Sequence, residues 1–318
     1  MFETLLSNNN MKEALGYSLK TGTTLHAYLL CGPDGSGKLT AANAFAAEII
    51  GDKEKGLRGS HPDVIYLRPE EDKSSIAVEA VRDMRADAFI TPTEAQKKVY
   101  IIDRADQLND HGQNALLTIL EQPPSFCVFI LLSENREKIL PTVISRCSVY
   151  EMEYVNDEDG AELLQKEFAK ESPESLKTYM RASQGNIGLA KKMISDATLL
   201  SDVGKCEQLC ISIVSGDKYT VGKIIMNLTK KNAIDFLNVL SVYLRDITVL
   251  NATGSEDSVV FYDSVLKNKS VFAKIKTDRL YRCVTECQKS ISLVESNVNL
   301  SLVLSALTIN LYGGKTVD

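Results

Sequence analysis

What this chain lacks narrows what it can be. It has no surplus of positive charge: 36 Lys and Arg stand against 42 Asp and Glu, for a formal net charge of -6. That argues against a basic coat for nucleic acid, while leaving a local basic face open. The pairs Lys97-Lys98 and Lys230-Lys231 are too short to form a patch and read as solvated surface. A membrane-length apolar run is also missing. The most apolar tract, VNLSLVLSALTINLYGG near the C-terminus, is broken by Asn and Ser. It falls short of the roughly 18 to 20 residues a span needs, so a buried helix is expected there and no membrane partner. The opening MFETLLSNNN has no basic stretch followed by an apolar core, so no signal peptide is expected. Internal repeats and low-complexity linkers are absent.

The seven cysteines are odd in number and carry no export signal, which fits reduced thiols in the cytoplasm. Cys206/Cys210 and Cys283/Cys287 are each spaced i, i+4 on one helical face. Together they would supply four thiolates. The spacing is not the C-x₂-C of common zinc sites and the neighbours are apolar, so core packing is the reading and no metal is expected.

What is present is an ordinary globular composition, 44% hydrophobic and 25% charged over 318 residues, long enough for two or three domains. The first half alternates two kinds of segment. HAYLLCG (26–32), PDVIYLRP (62–69), KKVYIID (97–103) and CVFILLS (127–133) are short continuous apolar runs, as suits strands buried on both faces of a parallel sheet. Helical patterns lie between them: LTAANAFAAEII (39–50), and HGQNALLTILEQ (111–122) stopped by Pro123-Pro124. This alternation predicts a doubly wound α/β domain. After about residue 155 the strand patterns give way to helices, with NATGSEDS (251–258) as a loop between two of them. The expected organisation is an α/β domain over 1–155, a small helical domain over 156–199 and a larger helical domain over 200–318.

GPDGSGKLT (32–40) is one residue away from a phosphate-binding loop, G-x-x-x-x-G-K-[ST]. Gly32, Gly35 and Gly37 permit a tight backbone that presents N–H groups to an anion, and Lys38 would reach the phosphates. The next residue is Leu39, which cannot ligate Mg²⁺. Thr40 follows one residue later, rotated by about 100° around the helix, so its hydroxyl should point away. Asp103 ends the apolar strand VYIID, the usual place for an acid that orients Mg²⁺. The plainer alternative is a structural strand-end acid paired with Arg104. Arg104 is a permanent cation and accepts no proton. Asp106 reads as a helix-start or surface residue. In LPTVISRCSVYEM (140–152), Pro141 to Ile144 reads as a turn and short helix leading to Ser145-Arg146-Cys147, with an apolar strand after it.

Together, GPDGSGK (32–38), HPDVIYL (61–67), VYIIDRADQLNDHGQNALLTILEQPP (99–124), FILLSENREKILPTVISRC (129–147) and GNIGLAKKM (185–193) resemble the clamp-loader branch of the AAA+ proteins. The resemblance covers roughly the first 195 residues, and NALLTILEQPP followed by S-R-C is its strongest pair of motifs. It implies an AAA+ P-loop domain, a small helical lid and a helical collar used in oligomerisation. Within that branch the pattern is closest to the delta-prime type of subunit in the bacterial DNA polymerase III clamp loader. Motor subunits of the gamma/tau type keep Ser or Thr after the loop lysine, Glu after the strand aspartate, and a sensor arginine in a G-x-x-R setting. Here those places hold Leu39, Arg104 and Gly188.

The resemblance therefore implies a subunit that does not hydrolyse ATP, requires no cofactor, and lends Arg146 to a neighbour's ATP site as an arginine finger. Ser145 and Cys147 would be positioning residues. Its implied partners are gamma/tau motor subunits and a delta subunit, with the sliding clamp and primed DNA engaged through the complex. Two alternatives stay open: an active gamma/tau-like ATPase, and a chain that binds ATP through Lys38 and the glycines without cleaving it. The four-cysteine zinc module of many relatives has no counterpart in GDKEKGLRGSHPDV (51–64), so no structural zinc is expected.

Overall fold

The computed structural model describes residues 5–69, 75–256, 258–296 and 298–312, and the chain divides into two compact units, 1–156 and 157–318. Unit 1 runs α1 (Asn9–Thr21), β1 (Ala27–Cys31), α2 (Lys38–Ile50), α3 (Lys53–Arg58), β2 (Val64–Leu67), α4 (Val78–Asp87), β3 (Lys98–Ile102), α5 (Asp110–Glu121), β4 (Cys127–Ser133), α6 (Pro141–Ile144) and β5 (Ser148–Glu151). The strands form one sheet in the order β2-β3-β4-β1-β5, and every pairing is parallel. The α/β expectation is met, with each apolar run becoming a strand within its bounds.

Successive side chains alternate between the sheet faces. Leu29, Cys31, Tyr100, Ile102, Phe129 and Leu131 enter one core with Val81 and Met84 of α4 and Leu116, Ile119 and Leu120 of α5. Tyr28, Leu30, Val99, Ile101, Val128 and Ile130 enter the other with Leu15 of α1 and Ala41, Ala42 and Phe45 of α2. Burial on both faces is why the strands read as continuous runs. The same arrangement gathers the C-terminal ends of β1, β3 and β4 side by side, where open α/β sheets bind ligands.

Unit 2 consists of helices: α7 (Asp157–Glu167), α8 (Pro173–Ala182), α9 (Ile187–Asp196), α10 (Leu199–Ser215), α11 (Lys218–Met226), α12 (Ala233–Thr253), α13 (Tyr262–Lys267), α14 (Lys269–Phe272), α15 (Thr277–Glu295) and α16 (Leu300–Tyr312). Helix α12 buries Phe236, Val239, Leu240, Tyr243, Leu244 and Ile247 around most of its circumference. A helix apolar all round is a buried one, and α12 is the axis of this core. Cys206, Cys210, Cys283 and Cys287 lie in that core, as their apolar neighbours predict. Burial pushes all four thiols above their ordinary pKa. The loop expected over 251–258 begins later, because α12 continues to Thr253. Asn251 stays helical while its amide donates to the carbonyls of Phe272 and Ile275; residue 257 lies outside the described residues. No described helix is long and apolar enough to cross a membrane.

Candidate nucleotide site and exposed arginine

The glycine loop joins β1 to α2 and is tied to the neighbouring strand by Gly32 N–H donating to the Ser133 carbonyl at 3.0 Å. A Cβ on Gly32 would stand 2.8 Å from Met152 Cβ and 3.0 Å from Ser36 Oγ. Gly35 and Gly37 take φ of 77° and 89°, a left-handed backbone that glycine adopts without strain. Lys38 opens α2 and is 9% exposed. Its ammonium donates to the carbonyls of Gly32 (2.6 Å) and Pro33 (2.7 Å). An ammonium has three N–H donors, so one remains. Ser36 Oγ is buried with no hydrogen-bond partner. Burial lowers the Lys38 pKa, opposed by Glu134, Asp34, Asp106 and Asp103 around it. A spare lysine proton and an orphaned hydroxyl in one glycine loop fit a phosphate.

Leu39, Thr40, Asp103 and Arg104 occupy the positions beside this loop. Leu39 is 37% exposed in the first turn of α2 and Thr40 is exposed beside it. Asp103 follows β3, its N–H bonding the Leu67 carbonyl at 2.8 Å. Arg104 takes φ 57° and ψ 51°, a left-handed conformation that costs a non-glycine residue about 1 kcal/mol. It pairs with Glu134 (Nε to Oε1, 3.8 Å), so the Asp103–Arg104 pair weighed from sequence is replaced by a longer-range one. Asp106 stands at a helix start, as the sequence reading expects. It sits in the 3₁₀ turn Ala105–Gln107 and accepts the Glu134 N–H at 3.1 Å.

No sequence motif assigns Glu134 a role. It follows β4 directly, and burial, then Asp34, push its carboxyl up while Lys38 and Arg104 pull it down. An acid placed immediately after the run CVFILLS was the available signal. The structure thus brings Gly32, Gly35, Gly37, Lys38, Asp103 and Arg104 together at the strand ends, and adds Glu134 to them.

Arg146 stands elsewhere in unit 1. The short helix α6, with Pro141 at its first position, delivers Ser145 and Arg146 to its C-terminal turn. Ser145 Oγ donates to the Thr142 carbonyl at 3.0 Å, the local role expected of it. The Arg146 guanidinium donates through Nη1 to Thr142 O (2.9 Å) and Ser145 Oγ (3.3 Å), and through Nη2 to Glu121 Oε1 (2.6 Å). Its side chain remains 34% exposed. Burial pushes the Cys147 thiol up to about 12. The buried Gln113 of α5 fixes the approach to α6. It donates to the Leu108 and Lys138 carbonyls and accepts the Leu140 N–H at 2.7 Å. In unit 2, Gly188 lies in the first turn of α9. Among the described residues, no group of three or more His, Cys, Asp or Glu is placed to hold a metal ion.

Residues 7–156 match the protein family described as DNA polymerase III, delta subunit. The chain is 29% identical over 314 residues to DNA polymerase III subunit tau of Bacillus subtilis, covering 90% of this chain and 54% of that protein. It is 30% identical over 181 residues to subunit delta' of Pseudomonas aeruginosa, covering 53% and 55%, and 29% identical to subunit gamma of Buchnera aphidicola, covering 63% and 60%. The chain thus spans little more than half the length of these relatives. Among solved structures, a gamma subunit-related protein of Thermotoga maritima aligns at a TM-score of 0.43 and 15% identity, covering 93% of this chain and 98% of that one.

Proposed function

We propose, from the homology of this chain to the gamma/tau and delta' subunits of the DNA polymerase III clamp loader, that it serves that complex as a non-hydrolysing subunit of the delta' kind. The observation that carries this reading is the charge at the end of β3. Hydrolysis by a motor needs a carboxylate there to polarise water. This chain places a guanidinium there and pairs it with Glu134. Leu39 removes the metal-ligating hydroxyl from the adjacent loop, and Mg²⁺ bridging the β- and γ-oxygens is central to phosphoryl transfer. The glycine loop and Lys38 fit a phosphate anion, and the hydrolytic positions do not fit the reaction.

Arg146 keeps a function where Asp103 has lost one. A partly exposed guanidinium on a hydrogen-bonded turn is suited to stabilise charge on a nucleotide held by an adjoining subunit. Arginine fingers contribute on the order of 10³ to 10⁵ in rate in GTPases. In this role the chain joins gamma/tau motors and a delta subunit, and the assembly uses ATP to place the sliding clamp on primed DNA. The helices of 200–318 supply the collar.

Two measurements test the reading. The purified chain is expected to show no ATP turnover above background. A complex reconstituted with motor and delta subunits, stimulated by clamp and primed DNA, is expected to lose several-fold in turnover with Arg146→Ala while still assembling. Unchanged turnover in an intact complex would remove the finger. A second reading, an active gamma/tau-like motor, draws on the tau similarity spanning 90% of this chain and on the retained Lys38. Turnover by the purified chain would establish it.

A further inference from the structure

The geometry points to Glu121 as the positioning residue of Arg146. This rests on the finger reading above and adds to it a second residue, on another helix, that sets how the finger is presented.

Glu121 is the last residue of α5 and Arg146 lies beyond the end of α6, 25 positions away in the chain. Their 2.6 Å contact is the only one among the described residues that holds the guanidinium from outside its own turn. A guanidinium has five N–H donors. Thr142 O, Ser145 Oγ and Glu121 take three, so two are left for phosphate oxygens. The side chain is 34% exposed, so a neighbour can approach it. An arginine that swings freely loses rotamer entropy each time it engages a phosphate, and pre-ordering lowers that cost. The end of α5 adds its own attraction, since a cation is favoured near a helix C-terminus.

The two residues also share one scaffold. Gln113, two turns earlier on α5, grips the segment leading into α6 through Lys138 O and Leu140 N. A shift of α5 therefore moves both Glu121 and the base of the Arg146 turn. Glu121 is more than a surface ion pair in this setting, although a pair this exposed adds little to stability. Its loss should leave the chain folded and alter the rate of the neighbouring site.

The test uses the reconstituted complex with full-length chain, clamp and primed DNA, and separates kcat from KM for ATP. Glu121→Ala is expected to lower kcat by about threefold without moving KM or assembly, because the contact matters where charge develops. Glu121→Gln keeps the acceptor oxygen and should fall between. Adding Glu121→Ala to Arg146→Ala should change nothing further, as expected of residues acting through one group. An unchanged or raised kcat in Glu121→Ala, with Arg146→Ala still damaging, would overturn the positioning role alone. A silent Arg146→Ala would overturn the finger and this role with it. A double variant markedly slower than Arg146→Ala would show Glu121 acting by a separate route, and the proposal would fall.

Discussion

Asp63 shows what one side chain can hold together. It is fully buried, yet its carboxylate accepts the N–H groups of Thr93, Glu94 and Ala95 at 2.6 to 2.8 Å. Burial pushes its pKa up, but these three donors outweigh it and leave the value below the ordinary one. Asp63→Ala strands three donors and is expected to lower stability by about 3 kcal/mol at neutral pH, read from urea unfolding. The sign of the pH dependence follows. The folded pKa is depressed, so this contribution is complete above the unfolded value of about 3.9 and is lost as pH falls through the folded one. The gap between wild type and variant should therefore narrow as the pH falls below about 3.9, through the depressed folded pKa. The sequence shows HPDV as part of a resemblance, but not that Asp63 anchors a segment thirty residues away. Lys38 and the three glycines were legible because a phosphate loop is local in sequence. Glu134, Gln113 and Glu121 were not, because their partners are brought to them by the fold.

Helices α2 and α3 meet so closely that one methyl group should matter. A Cβ on Gly56 would lie 2.5 Å from the Ala47 Cα, a backbone atom that cannot swing aside. In an exposed helix, Gly to Ala gains up to about 1 kcal/mol. Here the clash should reverse that sign and cost about 1 to 3 kcal/mol, seen as a lowered Tm. At this scale the sequence was most informative where elements are buried on all sides. β1, β3, β4 and α12 announce themselves by composition, whereas α1 and α4 went unmarked because they are amphipathic and largely polar. The turn before α13 was hidden for another reason. It is held by Asp246 inside α12, whose carboxylate accepts the N–H groups of Val260 and Phe261.

Among the described residues, one hydrophobic cluster lines each face of the sheet in unit 1 and a third surrounds α12 in unit 2, with no residue shared between the units. Residues 157–318 expressed alone are expected to be helical and to unfold cooperatively, with circular dichroism and thermal melting as the check. The thiols are divided along the same line. Cys31, Cys127 and Cys147 belong to unit 1, and Cys206, Cys210, Cys283 and Cys287 to unit 2. Burial raises every one of their pKa values, so the folded chain should react sluggishly with iodoacetamide near neutral pH. Each unit that opens releases its own set at once. Intact-mass spectra of the alkylated protein would then step by three or four adducts, and the chain carries a built-in stopwatch that records which half came apart first.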